Sequence, residues 1–363
     1  MNHYISTIYI LIFTVSLATT IFTIPYIEKL GHDFKLIDLP NQRKQHNKPL
    51  VRVGGIGILA GYLIAYFGIG LSSYFFGNFI AKEEFLILTG TCLIAIFCIG
   101  FADDIIRLSP WTRLASEILV ASYAWFNGMR IQVLDLSFNT DISNQIILID
   151  SISFIITILW LVGLTNAINW MDGLDGLAAG LAAISCLYIA FFSNYFNNTT
   201  IACLALGMSG SCLGFLRYNI NPARILMGDG GSYLLGFGVA SLSILGCASK
   251  GFNGNSEALA MNIPICFLIL FVPIVDMTKV IITRVSKGIS PFFPDRNHIH
   301  HQLINLGLTQ KKAVFLIYTI SIWFGGLALF TLNIGSSIKL FLLPSSLLLY
   351  TLLDYFYKHY RIR

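Results

Sequence analysis

The amino-acid sequence predicts an all-α polytopic membrane protein of about eleven transmembrane helices, with its N-terminus outside and its C-terminus in the cytoplasm. Three observations carry that prediction. Of the 363 residues, 56% are hydrophobic and only 11% charged, and the apolar residues fall in long runs. Soluble domains carry roughly 25% charged residues, and a spanning helix needs about 20 mostly apolar ones. A chain this apolar has too little polar surface to face water on all sides and needs lipid around it.

The runs, with ends open by a few residues, are 5–27, 54–75, 85–102, 112–127, 147–168, 176–193, 200–217, 231–249, 259–282, 314–333 and 337–357. The first opens "MNHYISTIYILIF", with neither a basic leader nor a small-residue cleavage site, and reads as a retained span rather than a signal peptide. An odd number of spans puts the termini on opposite sides. Lys and Arg favour cytoplasmic loops. An outside N-terminus places 18 of the 23 there: six in 28–52, two in 103–113, two in 217–230, five in 283–313 and three after 357. Lys82, Arg130, Lys250 and Lys339 fall outside, and Lys279 lies within a span. The seven cysteines sit in predicted spans without a CxxC pair, which argues against a disulfide framework or a zinc site. The net charge of +5 follows the basic loops, so it points to anionic headgroups and phosphates rather than nucleic acid. Without an internal repeat, a low-complexity tract or a soluble domain, residues 1–363 read as one integral membrane domain.

Four polar segments interrupt this chain: "GFADDIIRLSP" (100–110), "NAINWMDGLDGLAAG" (166–180), "ILMGDGGSYLLG" (225–236) and "PFFPDRNHIHHQL" (291–303). Each falls at the cytoplasmic end of a span or in a cytoplasmic loop. One face is therefore expected, built from 28–53, 103–113, 166–176, 217–231 and 283–313. Carboxylates at membrane depth are costly and default to a functional reading. A single Asp at a span end is as readily a headgroup-level cap, but five in three Gly-rich motifs on one side are not.

Asp103 and Asp104 are adjacent, hence about 100° apart on a helix. They cannot chelate one ion from one face, which predicts divided labour between a reacting phosphate and a basic group or metal. Asn166, Asn169, Asp172 and Asp175 recur every third residue along one stripe. Gly173 and Gly176 let backbone approach a ligand there. Asn and Asp oxygens suit Mg²⁺, which keeps waters and shares substrate phosphates. Around Asp229, the N–H groups of Gly230, Gly231 and Ser232 can cradle phosphate oxygens, although such residues also make plain turns. Asp295, Arg296, His298, His300 and His301 fall within seven residues, and the arginine with the histidines suits diphosphate oxygens through charge-assisted bonds. The spacing of a zinc site is missing, and a loop without ligand is the other reading. Arg107 is an ordinary i,i+3 or i,i+4 helix partner for the two carboxylates. Arg113 either meets a lipid phosphate or snorkels to the interface. Asp276 and Lys279, three apart in the ninth run, form a structural ion pair or line a cavity.

Taken in order, "ADD", "NAINWMDGLDGL", "MGDGGS" and "DRNHIHH", preceded by "DLPNQRKQHNKPLVRVGGIGI" (38–58), resemble the polyprenyl-phosphate N-acetylhexosamine-1-phosphate transferases of glycosyltransferase family 4. The resemblance spans nearly the whole chain. The HIHH form resembles the WecA/TagO-type branch rather than the MraY-type one. It implies an enzyme of the bacterial cytoplasmic membrane with its active site facing the cytoplasm. There undecaprenyl phosphate attacks the β-phosphorus of a UDP-sugar, UDP-GlcNAc first among them. The products are undecaprenyl-diphosphate-sugar and UMP, in the first membrane step of a cell-envelope glycan such as an O-antigen or a teichoic acid.

The resemblance also implies Mg²⁺, with Mn²⁺ as a substitute, on Asn169 and Asp229. It puts Asp175 at the uracil and Asp172 near metal and diphosphate. Asp103, with Asp104 beside it, positions or deprotonates the lipid phosphate. Asn166, Arg113, Arg296, His298, His300 and His301 complete the substrate-binding set, and a homodimer is implied. Glu117 stands where the family has Gln, which bears on local hydrogen bonding. Two other readings stand beside this one. The same chemistry can act on UDP-FucNAc, UDP-QuiNAc or UDP-MurNAc-pentapeptide. A cation- or proton-coupled transporter would use Asp103, Asp172 and Asp229 as ion ligands, but midplane sites and internal repeats mark that class.

Overall fold

The computed structural model describes residues 2–39, 49–76, 83–136, 145–250, 259–291 and 297–330, with a few positions between 345 and 354. Twelve helices are described: α1 (Asn2–Asp33), α2 (Gly55–Phe76), α3 (Glu83–Ile106), α4 (Pro110–Phe126), α5 (Asp150–Met171), α6 (Leu177–Tyr195), α7 (Thr199–Asn219), α8 (Gly228–Gly246), α9 (Ile263–Ile269), α10 (Phe271–Ser286), α11 (Ile299–Asn305) and α12 (Gln310–Phe330). Among the described residues, α1, α3, α5, α6, α7 and α12 contain stretches long and apolar enough to cross a membrane. The α9–α10 pair makes a seventh if it is counted as one bent span. The chain is thus a helical, multi-pass membrane protein.

Helix α8 sits at the centre, packed against α2, α3, α5, α6 and α7. Every residue from Gly230 to Gly246 is buried. It meets protein rather than lipid, so it need not be as apolar as its neighbours. Helices in lipid gain little from burying oil against oil and associate through small residues and interhelical hydrogen bonds. Gly100 of α3 shows the first device: a Cβ there would stand 2.4 Å from the Asp229 carbonyl oxygen. The second joins α1 to α7, where the buried Ser16 hydroxyl donates to the Gly207 carbonyl at 2.6 Å and lies 2.7 Å from the Ser211 hydroxyl. Such bonds contribute about 0.6 kcal/mol each.

One expectation is corrected. The ninth run, 259–282, is not one straight span: a strand precedes α9, and α9 and α10 meet at 83°. Pro273 has no N–H to donate to the Ile269 carbonyl, so a continuous helix is interrupted at this point. Short strands accompany the helices without changing the all-α class. Strands β1 (Ile37–Asp38) and β2 (Leu50–Val51) pair antiparallel. Strands β3 (Val133–Asp135), β4 (Gln145–Ile147), β5 (Ala248–Lys250) and β6 (Leu259–Asn262) form a sheet of order β4-β3-β6-β5, with β3 and β6 parallel. Strands of two to four residues are too short to leave a readable alternation of apolar and polar residues. The four-stranded sheet joins the α4–α5 and α8–α9 connections at one end of the bundle. The polar motifs gather at the other. The eleventh run, 337–357, falls largely outside the described residues.

Candidate active site

The site is organised on the first turn of α8, whose first N–H groups have no partner within the helix. Asp104, at the end of α3, supplies acceptors: the N–H groups of Asp229 and Gly230 donate to its carboxylate at 2.9 and 3.0 Å. A negative charge is also favoured at this end of the helix dipole. Gly228 makes the approach possible, with φ of +78°, and a Cβ there would stand 2.6 Å from Asp104 Oδ2. Asp103 points elsewhere, as the 100° offset requires. It accepts from the Leu108 N–H at 2.6 Å and from Arg113 at 2.8 Å, tying α3 to the start of α4. Ser109 caps α4 by accepting from the Thr112 N–H, with Pro110 in the first helical turn.

Arg52 is the cation at the centre. The Leu226 N–H donates to Val51, and Gly54 and Gly55 donate to Leu226 and Met227, so 51–55 is stitched along the lead into α8. Arg52 thereby reaches Asp229 at 2.8 Å and Asp104 at 3.2 Å. Asn169, in the last turn of α5, donates its amide hydrogens to Asp229 Oδ1 and Ser232 Oγ, both at 2.9 Å. That orientation turns its amide oxygen away from Asp229. Asp172 is the C-cap of α5, its own N–H donating to the Asn169 carbonyl. Burial, and then the charge of Asp229, push its carboxyl up to about 8.

The next turn is held from the far side. Asn219 accepts from the Gly176 N–H at 2.9 Å and donates to the Ile225 carbonyl, and the Tyr318 hydroxyl donates to the Gly176 carbonyl. One oxygen of Asp175 accepts from the Asn221 amide and the Ala223 N–H at 2.9 and 3.1 Å, which orients it against the α7–α8 link. Asn166 lies one turn deeper. Its amide donates to Glu117, a buried residue of α4, and to the Val162 carbonyl.

The histidines pack onto the same end. Gly173 faces the His300 ring, since a Cβ there would stand 2.4 Å from Nε2. His300 is buried with neither ring nitrogen hydrogen-bonded. Burial, and then the adjacent His301 and His298 rings, lower it to about 3, so it is a neutral ring at physiological pH. The His298 ring stacks 5.5 Å from His300 and stands edge-on to Trp170 at 5.8 Å, while His301 lies 4.3 Å from His300. His298 Nδ1 is 2.7 Å from Asp276 Oδ2, and Arg284 lies over the Trp170 ring. The expected Asp276–Lys279 pair does not form, because Lys279 is exposed and donates to Gln302 at 2.7 Å. Arg296 lies outside the described residues.

Asn169, Asp172, Asp229, Asp104 and Asp103 are thus brought together, with Asp175, Arg113 and the three histidines around them and Asn166 one layer down. Arg52 and Arg284 are additions, and Asp276 takes partners other than the one expected. The sequence held a signal for the last two: Val272, Asp276, Val280 and Arg284 are spaced by four and form the buried stripe of α10. Arg52 had none, because its place depends on pairing between segments far apart in the chain.

The donor set suits a hard divalent cation. Asp104, Asp172 and Asp229 share Arg52 as counter-charge, and Asn169, whose NH₂ faces Asp229 here, would offer its amide oxygen to a shared cation once the amide turns over. Among the described residues no group of three His, Cys, Asp or Glu is preassembled around a point. Mg²⁺ does not require one, since it retains waters and shares substrate phosphates.

Comparison with known proteins supports the same chemistry. The profile described as Glycosyl transferase family 4 matches residues 86–247, which include both Asp motifs and the first turn of α8. The chain is 32% identical over 312 residues to the probable undecaprenyl-phosphate N-acetylglucosaminyl 1-phosphate transferase of Bacillus subtilis (strain 168), covering 86% of this chain and 82% of that one. It is 31% identical over 323 residues to the decaprenyl-phosphate N-acetylglucosaminephosphotransferase of Mycolicibacterium smegmatis, covering 85% and 78%. It is 29% identical over 310 residues to the undecaprenyl-phosphate alpha-N-acetylglucosaminyl 1-phosphate transferase of Salmonella typhimurium, covering 84% and 78%. The chain belongs to glycosyl transferase family 4, in its WecA/TagO-type branch of polyprenyl-phosphate N-acetylhexosamine-1-phosphate transferases.

Proposed function

We propose that the protein transfers GlcNAc-1-phosphate from UDP-GlcNAc to undecaprenyl phosphate, releasing UMP, on the cytoplasmic face of a bacterial inner membrane. The observation that carries this is the meeting of Asn169, Asp172 and Asp229 with the histidine cluster at one end of the bundle, where a diphosphate can lie between carboxylates and imidazoles. The relatives' printed names supply the sugar and the lipid class. A transporter finds no support, since the acidic groups crowd one end. The orientation rests on the distribution of Lys and Arg, which also supports eleven spans with the N-terminus outside.

Phosphoryl transfer asks little covalent chemistry of a protein; it asks for in-line positioning and charge neutralisation. Asn169 and Asp229 would hold Mg²⁺, which would neutralise the diphosphate of the donor. Asp104 and Arg52 fix Asp229 in place. Asp175, anchored to the α7–α8 link, faces the base of the nucleotide. Arg113, held by Asp103, offers its remaining donors to the lipid phosphate at the membrane edge. His298, His300 and His301 contact the diphosphate and the sugar.

Membranes carrying the protein are expected to convert radiolabelled UDP-GlcNAc and undecaprenyl phosphate into a butanol-soluble product. EDTA should stop the reaction and Mg²⁺ restore it, with Mn²⁺ as a partial substitute. Turnover of another UDP-sugar in place of UDP-GlcNAc would change the donor and keep the chemistry. Full turnover in EDTA would remove the metal from it.

A further inference from the structure

We infer that Asp276 is a positioning residue for the transfer reaction, acting through the ring of His298; this rests on the proposed contact between His298 and the substrate diphosphate. Asp276 lies inside the α9–α10 segment and is 1% exposed, a placement that demands partners for a carboxylate. Both its oxygens have one. Oδ1 accepts from the Ile299 N–H at 2.6 Å, which docks the first turn of α11 against α10. Oδ2 lies 2.7 Å from His298 Nδ1. A carboxylate only accepts, so Nδ1 carries the hydrogen.

The other ring nitrogen is then determined by its neighbour. Arg284 Nη2 lies 3.5 Å from His298 Nε2, and a guanidinium only donates. Arg284 is itself held, since it donates to the Pro291 carbonyl and lies with its charge 5.0 Å from the Trp170 ring centre. Carboxylate, imidazole and guanidinium therefore form an ordered row. Asp276 and Arg284 come from one stripe of α10, about 12 Å apart along its axis by rise alone, and His298 lies between them at the cap of α11. In the neutral ring Nδ1 bears the proton and Nε2 the lone pair. Trp170, next to Asn169 in sequence, holds the ring edge-on beside the carboxylate cluster. Asp276 thus fixes which nitrogen of His298 meets the substrate.

Asp276→Asn separates this role from simple docking of α11. Its side-chain oxygen can still accept from Ile299, but its NH₂ now faces Nδ1 and forces the hydrogen to Nε2. The expected result is a fall in kcat of roughly ten- to a hundred-fold, typical for a residue that orients another, with little change in KM for the UDP-sugar or in thermal midpoint. In a His298→Gln background the same substitution is expected to cost nothing further. In ¹⁵N-histidine-labelled protein, the signal removed by His298→Gln should carry its hydrogen on Nδ1 in the native chain and on Nε2 in Asp276→Asn. An unshifted tautomer, native turnover in Asp276→Asn, or an equal loss in both backgrounds would overturn the inference. Native turnover in His298→Gln would instead sink the reading of His298 on which it stands.

Discussion

At Asp229 one side chain meets a guanidinium, an amide and the reach of three further carboxylates, Asp103, Asp104 and Asp172. Asp229→Ala leaves Arg52 and Asn169 without that partner and removes a proposed cation ligand. Turnover is expected to fall at least a hundred-fold, and Asn169→Ala should raise the Mg²⁺ concentration needed for half-maximal rate. An unchanged metal titration in either variant would contradict the assignment. His300 makes a different prediction, about stability. Its folded pKa of about 3 lies below the usual 6.5. The unfolded chain therefore binds the proton more readily, and stability is lost as pH falls below about 6.5. The slope is up to about 1.4 kcal/mol per pH unit. Acidification from pH 7 to 5 should lower the thermal midpoint in detergent, and His300→Gln should flatten that dependence. The types and spacing of Asn169, Asp172 and Asp229 were legible in the sequence because their chemistry is local. Their central partner was not, since Arg52 reaches Asp229 only through pairing between distant segments.

Helices α3 and α8 illustrate what an element contributes. The close approach at Gly100 is what brings Asp104 to the N-terminus of α8. Gly100→Val places a branched side chain against the Asp229 carbonyl, and overpacking of this kind costs about 1–3 kcal/mol. Reduced thermal stability together with loss of turnover is expected, whereas a change on the lipid-facing side, such as Phe67→Leu, should alter neither. Most helices were legible from hydropathy, because a long apolar run in lipid has few alternatives to a helix. The break between α9 and α10 was less so, although Pro273 stood in the sequence. A proline inside an apolar run is compatible with a kink as well as with a break, and only packing decides.

On the scale of the whole molecule, two ends of one bundle carry different chemistry: a four-stranded sheet at one, carboxylates and imidazoles at the other. That separation was legible from the Lys and Arg distribution, since charge in the loops reflects orientation rather than tertiary contacts. The sheet was not, because its strands are too short to leave a pattern. Cysteines placed at exposed Asn197 and Lys287 test the orientation in intact cells. A membrane-impermeant maleimide is expected to label Asn197→Cys readily and Lys287→Cys only after lysis; the opposite pattern would turn the site outward. The most direct test of the central claim follows the phosphorus. UDP-GlcNAc carrying one label in the β-phosphate and another in the sugar is incubated with undecaprenyl phosphate and the purified protein. Phosphosugar transfer predicts both labels in the lipid in equal amounts, with one UMP released for each. Sugar label alone in the lipid, with release of UDP, would contradict it.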